Sequence, residues 1–203
     1  IGHFFFFFSA RGLPSEWDPL VFPRVDRHTH YILVRDQSQT VIQADSHAAA
    51  SGLIRRTDID PGQYSVIQWQ WKIAHVLEKG DETRKQGDDY AARIYVAFAF
   101  DEQDASWWQR LRRKSASLVA GKELPGTALN YVWAGRLPPG SILSNPYSDE
   151  TKVIVLQSGN ARSGQWVTEQ RDLVEDYRRA FGRKTPRIVG IGLMSDTDDT
   201  QEA

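Results

Sequence analysis

KGDETRKQGDDYAARIYVAFAF, residues 79–100, runs from a dense charged loop through Gly87-Asp88-Asp89-Tyr90 into a strongly β-prone segment. From Arg93 onward the side chains alternate, with Ile94, Val96, Phe98 and Phe100 on one side and Arg93, Tyr95, Ala97 and Ala99 on the other. A period of two is that of a strand with one face turned to a core. Polar loop residues held by a rigid strand end are where binding groups concentrate, so Asp88, Asp89, Tyr90, Arg93 and Tyr95 are the first candidates for ligand contact.

The same pattern recurs on either side. In residues 65–74, Ile67, Trp69, Trp71 and Ile73 point one way and Gln68, Gln70 and Lys72 the other, which adds Lys72 to the candidates. Residues 31–34 and 41–44 read as a hairpin around Asp36-Gln37-Ser38-Gln39. Further strands are expected at 129–134, 152–157, 165–168 and 187–194, the last with Gly190 and Gly192 leaving one side nearly bare. Two segments break the pattern. Residues 104–119 read as an inserted surface helix with a basic patch and an apolar stripe, and 174–181 as a short helix stopped by Gly182.

The chain is 203 residues long with no internal repeat, linker or charge shift, so the expectation is one domain over residues 1–203. Its class is mainly β: an antiparallel β-sandwich with one or two short inserted helices. Lys and Arg number 25 against 26 for Asp and Glu, so no bulk field draws the protein to nucleic acid or anionic lipid. Cysteine is absent, which excludes disulfides, thiolate metal sites and a cysteine nucleophile. No segment approaches the eighteen or so apolar residues of a membrane span. The run Phe4, Phe5, Phe6, Phe7 and Phe8 is shorter than a secretory core of roughly 7 to 15 residues and lacks a basic flank, so it reads as a buried or partner-covered strand.

Nucleophile-elbow, P-loop, H-E-x-x-H and Rossmann patterns are all missing, which lowers the weight of the familiar enzyme classes. His28 and His30 share a face at strand spacing, but a metal would need a third ligand such as Asp26 or Asp45, and an exposed polar strand edge accounts for the pair more simply. Carboxylate clusters carry more weight. Asp88 and Asp89 stand at a strand entrance, and Asp196, Asp198 and Asp199 follow the last strand with Thr197 and Thr200 interleaved. Hard cations take oxygen ligands from such loops, which makes Asp196, Asp198 and Asp199 a candidate calcium set. The competing structural reading is that these acids cap turns, or that Asp88 pairs with Arg93 or Arg84. Seven Trp and seven Tyr suit stacking against sugar rings. Trp69 and Trp71 read as core, whereas Tyr95, Tyr131, Trp133 and Trp166 are open; whichever shares a face with Gln68, Gln70, Lys72 and Arg93 makes the better sugar platform.

The strings FPRVDRHTHY, ADSHAAASGLIRR, WQWK, KGDETRKQGDDYAARIYV, NYVW, RDLVEDYRRAFG and GLMSDTDDT, in that order, closely resemble the bacterial family DUF3047 over nearly the whole chain. The resemblance implies a secreted or periplasmic protein with a jelly-roll, galactose-binding-like sandwich similar to carbohydrate-binding domains, and it implies no biochemical activity. The family pattern G-D-D-Y-x-A-R falls on Gly87, Asp88, Asp89, Tyr90, Ala92 and Arg93, and D-T-D-N-T on Asp196, Thr197, Asp198 and Thr200, with Asp199 in place of Asn. Family sequences continue into Gly-rich turns and a last strand, so further residues are expected beyond Ala203.

The leading expectation is a non-catalytic binding module for a saccharide or another polar envelope ligand, using Asp88, Asp89, Arg93, Tyr95 and the loop from Asp196 to Asp199, with Asp196 and Asp198 as ligand contacts. A second is an accessory subunit of a larger extracytoplasmic assembly, contacting partners through the Phe run and Trp107-Trp108. A third is a glycan-cleaving enzyme, which needs two carboxylates about 5 to 9.5 Å apart across a cleft.

Overall fold

The computed structural model describes residues 13–23, 25–100, 126–146 and 148–203. The Phe run at 4–8 and the expected helix at 104–119, with Trp107 and Trp108, lie outside the described residues. The described parts are mainly β. In chain order the strands are β1 (Asp18–Leu20), β2 (His30–Asp36), β3 (Gln39–Asp45), β4 (Ala50–Ile59), β5 (Val66–Trp71), β6 (Arg93–Phe98), β7 (Thr127–Ala134), β8 (Ile142–Asn145), β9 (Ser148–Ser158), β10 (Val167–Asp172) and β11 (Ile188–Asp196), with one α-helix, α1 (Leu173–Phe181).

Seven strands form a sheet in the order β1-β4-β11-β6-β7-β9-β8; β5 and β10 form a separate ribbon, and β2 and β3 a hairpin. All neighbours run antiparallel except β7 and β9, which run parallel. The sheets are therefore mixed and antiparallel, and the all-antiparallel expectation is corrected at that pair. The cause is local: β8 and β9 form a hairpin whose second arm lies between β7 and β8. An arm antiparallel to β8 then has the direction of β7.

Alternation places the core. Val96 and Phe98 of β6, Leu129 and Tyr131 of β7, Ile154 of β9 and Ile188 of β11 meet Leu173 and Tyr177 of α1, with Ile67 and Trp69 of β5 packed against them. Trp71, Ile73, Val76, Trp133 and Val167 make an adjoining cluster, with Trp71 centred 5.6 Å from Trp69 and 5.8 Å from Trp133. Aromatic pairs at such spacings add about 0.5–1.5 kcal/mol beyond their buried area. The ribbon and α1 thus cover one face of the large sheet. Asp172 caps α1 by accepting from the backbone N–H of Val174 and Glu175, and Gly182 closes it in the left-handed region, at the anticipated stop. Asp176 bolts the helix down, since the Tyr131 hydroxyl donates to it at 2.8 Å and Arg171 Nε at 2.8 Å. Burial, then the Asp176 charge, pushes the Tyr131 hydroxyl far above its ordinary range.

The hairpin, β5, β6, β7, β9, β11 and α1 appear where the periodicity put them, with shifted ends; the strand expected at 165–168 lies further on, as β10. β4 was not anticipated. It opens on the small residues Ala50, Ser51 and Gly52 and later carries Arg55, Arg56 and Asp58, so Ile54, Thr57 and Ile59 do not form a clean period-two pattern against polar neighbours. Its strand character comes from its place between β1 and β11, where a Cβ at Gly52 would stand 2.8 Å from the Leu193 carbonyl oxygen. Among the described residues no helix is long and apolar enough to cross a membrane.

Candidate functional site

Register decides which polar groups meet. Arg93 is paired across β6 with Met194 of β11, so Asp196, two residues on, projects from the same face of the sheet as Arg93. That face is opposite to the one under the ribbon. Tyr95 is paired with Gly192, and the bare strip anticipated at Gly190 and Gly192 lies beside Tyr95 and Ala97 of β6, whose Cβ atoms would be 3.5 and 3.8 Å from a Cβ added there. The charged loop is folded back at Gly87: Asp81 donates its N–H to the Gly87 carbonyl at 3.0 Å, and a Cβ on Gly87 would lie 2.6 Å from the Asp81 nitrogen. Glycine alone permits that approach, and it delivers Asp88, Asp89 and Tyr90 to the entrance of β6.

Arg93 is the hub. Its Nε donates to Asp196 Oδ1 at 2.9 Å while a terminal nitrogen engages Asp196 Oδ2; the other donors go to the Tyr95 hydroxyl at 3.1 Å and the Asp88 carbonyl at 3.0 Å. The Asp88 carboxylate stands 3.8 Å away and accepts from Asn145 Nδ2 at 3.1 Å. The Tyr90 ring packs 4.8 Å from the guanidinium centre, and the Tyr90 N–H donates to Asp196 Oδ1 at 3.1 Å. Of the two partners anticipated for Asp88, Arg93 is the one; Arg84 pairs with Asp81. Arg93, Asp88 and Asp89 are 4 % exposed and Asp196 3 %, so no bulky ligand reaches them in this arrangement. Burial works against the guanidinium charge, but Tyr95, Asp88 and Tyr90 outweigh it and hold Arg93 above its ordinary value.

Asp89 belongs to a different set. One carboxylate oxygen each from Asp89, Asp196 and Asp198 falls within 4.8 Å of the others. The expected trio was Asp196, Asp198 and Asp199; the side chains that converge are Asp89, Asp196 and Asp198, while Asp199 is exposed. The Thr200 N–H donates to Asp89 Oδ2 at 2.6 Å and the Thr200 hydroxyl lies beside the same carboxylate, both favouring its charged form. Burial raises Asp88, Asp89 and Asp198 above the usual carboxylate range, and Asp199 adds to the shift at Asp198. The loop carrying Asp198 and Thr200 is tied from both sides. Glu202 accepts the N–H groups of Glu78 and Lys79 at 2.9 and 2.8 Å, and Thr197 joins Ser46 at 3.1 Å.

On the far side of the molecule, the ribbon presents a second polar surface. Gln70 is in register with Thr168, so Gln68, Gln70 and Lys72 share the outward side with Trp166, Thr168 and Gln170. The inward side holds Ile67, Trp69 and Trp71. Lys72 lies 5.0 Å from the centre of the half-buried Trp166 ring. Asp36, at the hairpin tip, receives Trp166 Nε1 at 2.9 Å and is ion-paired to Lys72. Those two hydrogen bonds, Lys72 first, hold the Asp36 carboxyl below its ordinary value.

Of the four open aromatics, Tyr131 and Trp133 are core, Tyr95 lies beside Arg93, and Trp166 alone sits with Gln68, Gln70 and Lys72. In the sequence Asp36 is a turn residue, and Asn145 and Thr200 carry no local signal as partners; each is brought in by a contact across 57 to 130 residues. His28 and His30 are exposed, and Asp45 engages His47 at 3.0 Å.

The chain matches, over residues 15–203, the family described as Protein of unknown function (DUF3047), and it belongs to that family. Among curated proteins none matches it.

Proposed function

We propose that the chain is a single non-catalytic binding module for a saccharide or a similarly polar envelope ligand, and that the contact surface is the outward side of the β5–β10 ribbon. The observation that carries this reading is the row of Gln68, Gln70, Thr168 and Gln170 ending at Trp166, all on one solvent-facing side. Amide and hydroxyl groups can both donate and accept, as sugar hydroxyls require, and an indole offers an apolar face for the C–H groups of a pyranose ring. Lys72 and Asp36 set the angle of that indole through one cation–π contact and one hydrogen bond. The other tryptophans of the ribbon and of β7 are spent on the core.

In this reading the large sheet is one layer of a jelly-roll, galactose-binding-like sandwich, with the parallel β7–β9 pair as its departure from that plan. The module works in the periplasm or outside the cell, where envelope glycans are met. The buried rim around Arg93 supports the loops and is not the surface on which a sugar rests.

The test is a glycan-array screen of the full chain, followed by titration of the best ligand against Trp166→Ala and Gln70→Ala. Affinity should fall at least tenfold for Trp166→Ala, about 1.4 kcal/mol, with the fold intact by circular dichroism. Retention of no glycan at all, or binding indifferent to Trp166→Ala, would overturn the reading.

A further inference from the structure

Two apolar side chains at one end of the ribbon have no task in the core. Tyr64 is 70 % exposed and Val66 56 %, the highest values among the large hydrophobic residues described. Scattered singly, such residues need no explanation. These two are aligned with each other and with the polar row. The β5–β10 ladder runs from Trp71 opposite Val167 to Val66 opposite Asp172, and the Ser65 carbonyl, accepting from the Leu173 N–H at 2.7 Å, carries it one step further. Side chains two positions apart in a strand share a side, so Tyr64 and Val66 stand in line with Gln68, Gln70 and Lys72. On the facing strand Asp172, Gln170, Thr168 and Trp166 point the same way.

The outward side therefore has an aromatic ring at each end and amides and a hydroxyl between them. Lys72 and Trp166 lie one step past the Trp71–Val167 pair, and Tyr64 comes eight residues before Lys72, about 26 Å away at the rise of a strand. No single sugar ring touches both aromatics. A chain end held by its last sugar would need a walled pocket, whereas this row is open to solvent from Val66 through Gln70 and from Thr168 through Gln170. An extended chain of pyranoses lying along the ribbon sets C–H faces on the two rings and hydroxyls on the amides between. The charges on the row are already in use. Lys72 is ion-paired to Asp36, and Asp172 is taken up by the cap of α1 and the Ser65 hydroxyl, so the row itself has no free cation for a carboxylate or phosphate.

Resting on the saccharide reading of this same surface, we propose that its ligand is the interior of an uncharged, linear polysaccharide, bound lengthwise from Tyr64 to Trp166 across several sugar units. Tyr64 is the second stacking platform, and Val66 widens the apolar floor beside it. Each added sugar makes new contacts until the chain covers both rings, so affinity climbs with chain length and then levels off.

The experiment places the full chain on an array of neutral and uronate-bearing glycans, each present as a monosaccharide, a trisaccharide and a hexasaccharide, with Tyr64→Ala and Trp166→Ala probed in parallel. Neutral hexasaccharides should be retained about tenfold or more above the matching monosaccharides. Tyr64→Ala should lower hexasaccharide binding about fivefold and leave trisaccharide binding at Trp166 unchanged, with the fold intact by circular dichroism. Retention should be indifferent to about 0.5 M salt. Equal retention of monosaccharides and hexasaccharides, hexasaccharide binding that needs Trp166 but ignores Tyr64→Ala, or a preference for uronate-bearing chains that salt abolishes would each overturn the proposal and leave the saccharide reading standing. Retention of no glycan overturns both.

Discussion

Arg93 and Lys72 sit in the same kind of chemistry at opposite levels of burial. Each is paired to an aspartate, Arg93 to Asp196 and Lys72 to Asp36. Each also lies against an aromatic ring, Tyr90 at 4.8 Å and Trp166 at 5.0 Å. Both side chains of the first pair are 4 % exposed; those of the second are 34 % and 27 % exposed. Inside the protein the charges are out of water, so the pair holds only because the guanidinium fork meets both carboxylate oxygens and the remaining donors find acceptors. At the surface the pair is screened and contributes little to folding. What it can do there is orient a ring that remains open to a ligand. One motif thus serves as a bolt in one place and as the support of a binding platform in the other.

The sharpest way to break that contrast is to delete the two cations. Arg93→Ala leaves Asp196 buried without its partner and should cost about 3 to 5 kcal/mol of unfolding free energy, read from urea denaturation. Arg93→Lys should recover only part of it, because an ammonium cannot reproduce the fork. A loss smaller than about 1 kcal/mol for Arg93→Ala would mean that the two pairs do not differ in kind. Lys72→Ala is the mirror experiment. The melting temperature should stay unchanged within error, while tryptophan emission shifts and the affinity for any glycan captured on the array drops severalfold.

A smaller effect separates the buried face from a site built for polar ligands. Asn130 is fully buried on β7, paired in register with Tyr95, and neither its amide nitrogen nor its amide oxygen has a hydrogen-bond partner. Such a group is costly to bury. Asn130→Leu should therefore raise stability by about 1 kcal/mol by the same denaturation measurement. A clear loss would identify Asn130 as a residue whose amide is in use when a ligand or water is present.

The smallest effect concerns pH at the ribbon. The Asp36 carboxyl lies below its ordinary 3.8 because Lys72, then Trp166, donate to its charged form. A depressed carboxylate stabilises the native contact fully above the unfolded value and loses that contribution as pH falls through the lower, folded value. The Trp166 indole N–H resonance should therefore keep its bonded position from pH 7 down to about pH 4 and move only below it. In Asp36→Asn the movement should vanish.

Side-chain alternation made most of this fold legible. Ile67, Trp69 and Trp71 of β5 alternate with polar residues, and Ile94, Val96 and Phe98 of β6 with Arg93, Tyr95 and the small Ala97, and burial in a sheet follows that period directly. The caps of α1 are equally local, since Asp172 and Gly182 act on amides and carbonyls within a turn of themselves. β4 escaped notice because Ala50, Ser51, Gly52, Arg55 and Arg56 interrupt its alternation, and its pairing with β1 and β11 supplies what the pattern lacks. The parallel course of β9 escaped as well, because the period of two is the same whichever way a neighbour runs.

The site divides along the same line. That Asp88, Asp89, Tyr90 and Arg93 would cluster at a strand entrance was set by their adjacency in the chain, and so was the interleaving of threonine with aspartate after β11. Which of these acids would face one another, which arginine would join them and how deeply they would lie were settled by the register of β6 against β11 and by the return of the final loop over the first. Choosing Asp89 over Asp199 as the third carboxylate, and Trp166 over Trp133 as the open indole, requires knowing which way a side chain points after two strands have been brought together. That direction depends on pairings between distant strands, 101 residues apart for Arg93 with Met194 and 96 for Trp71 with Val167, and no local pattern encodes it.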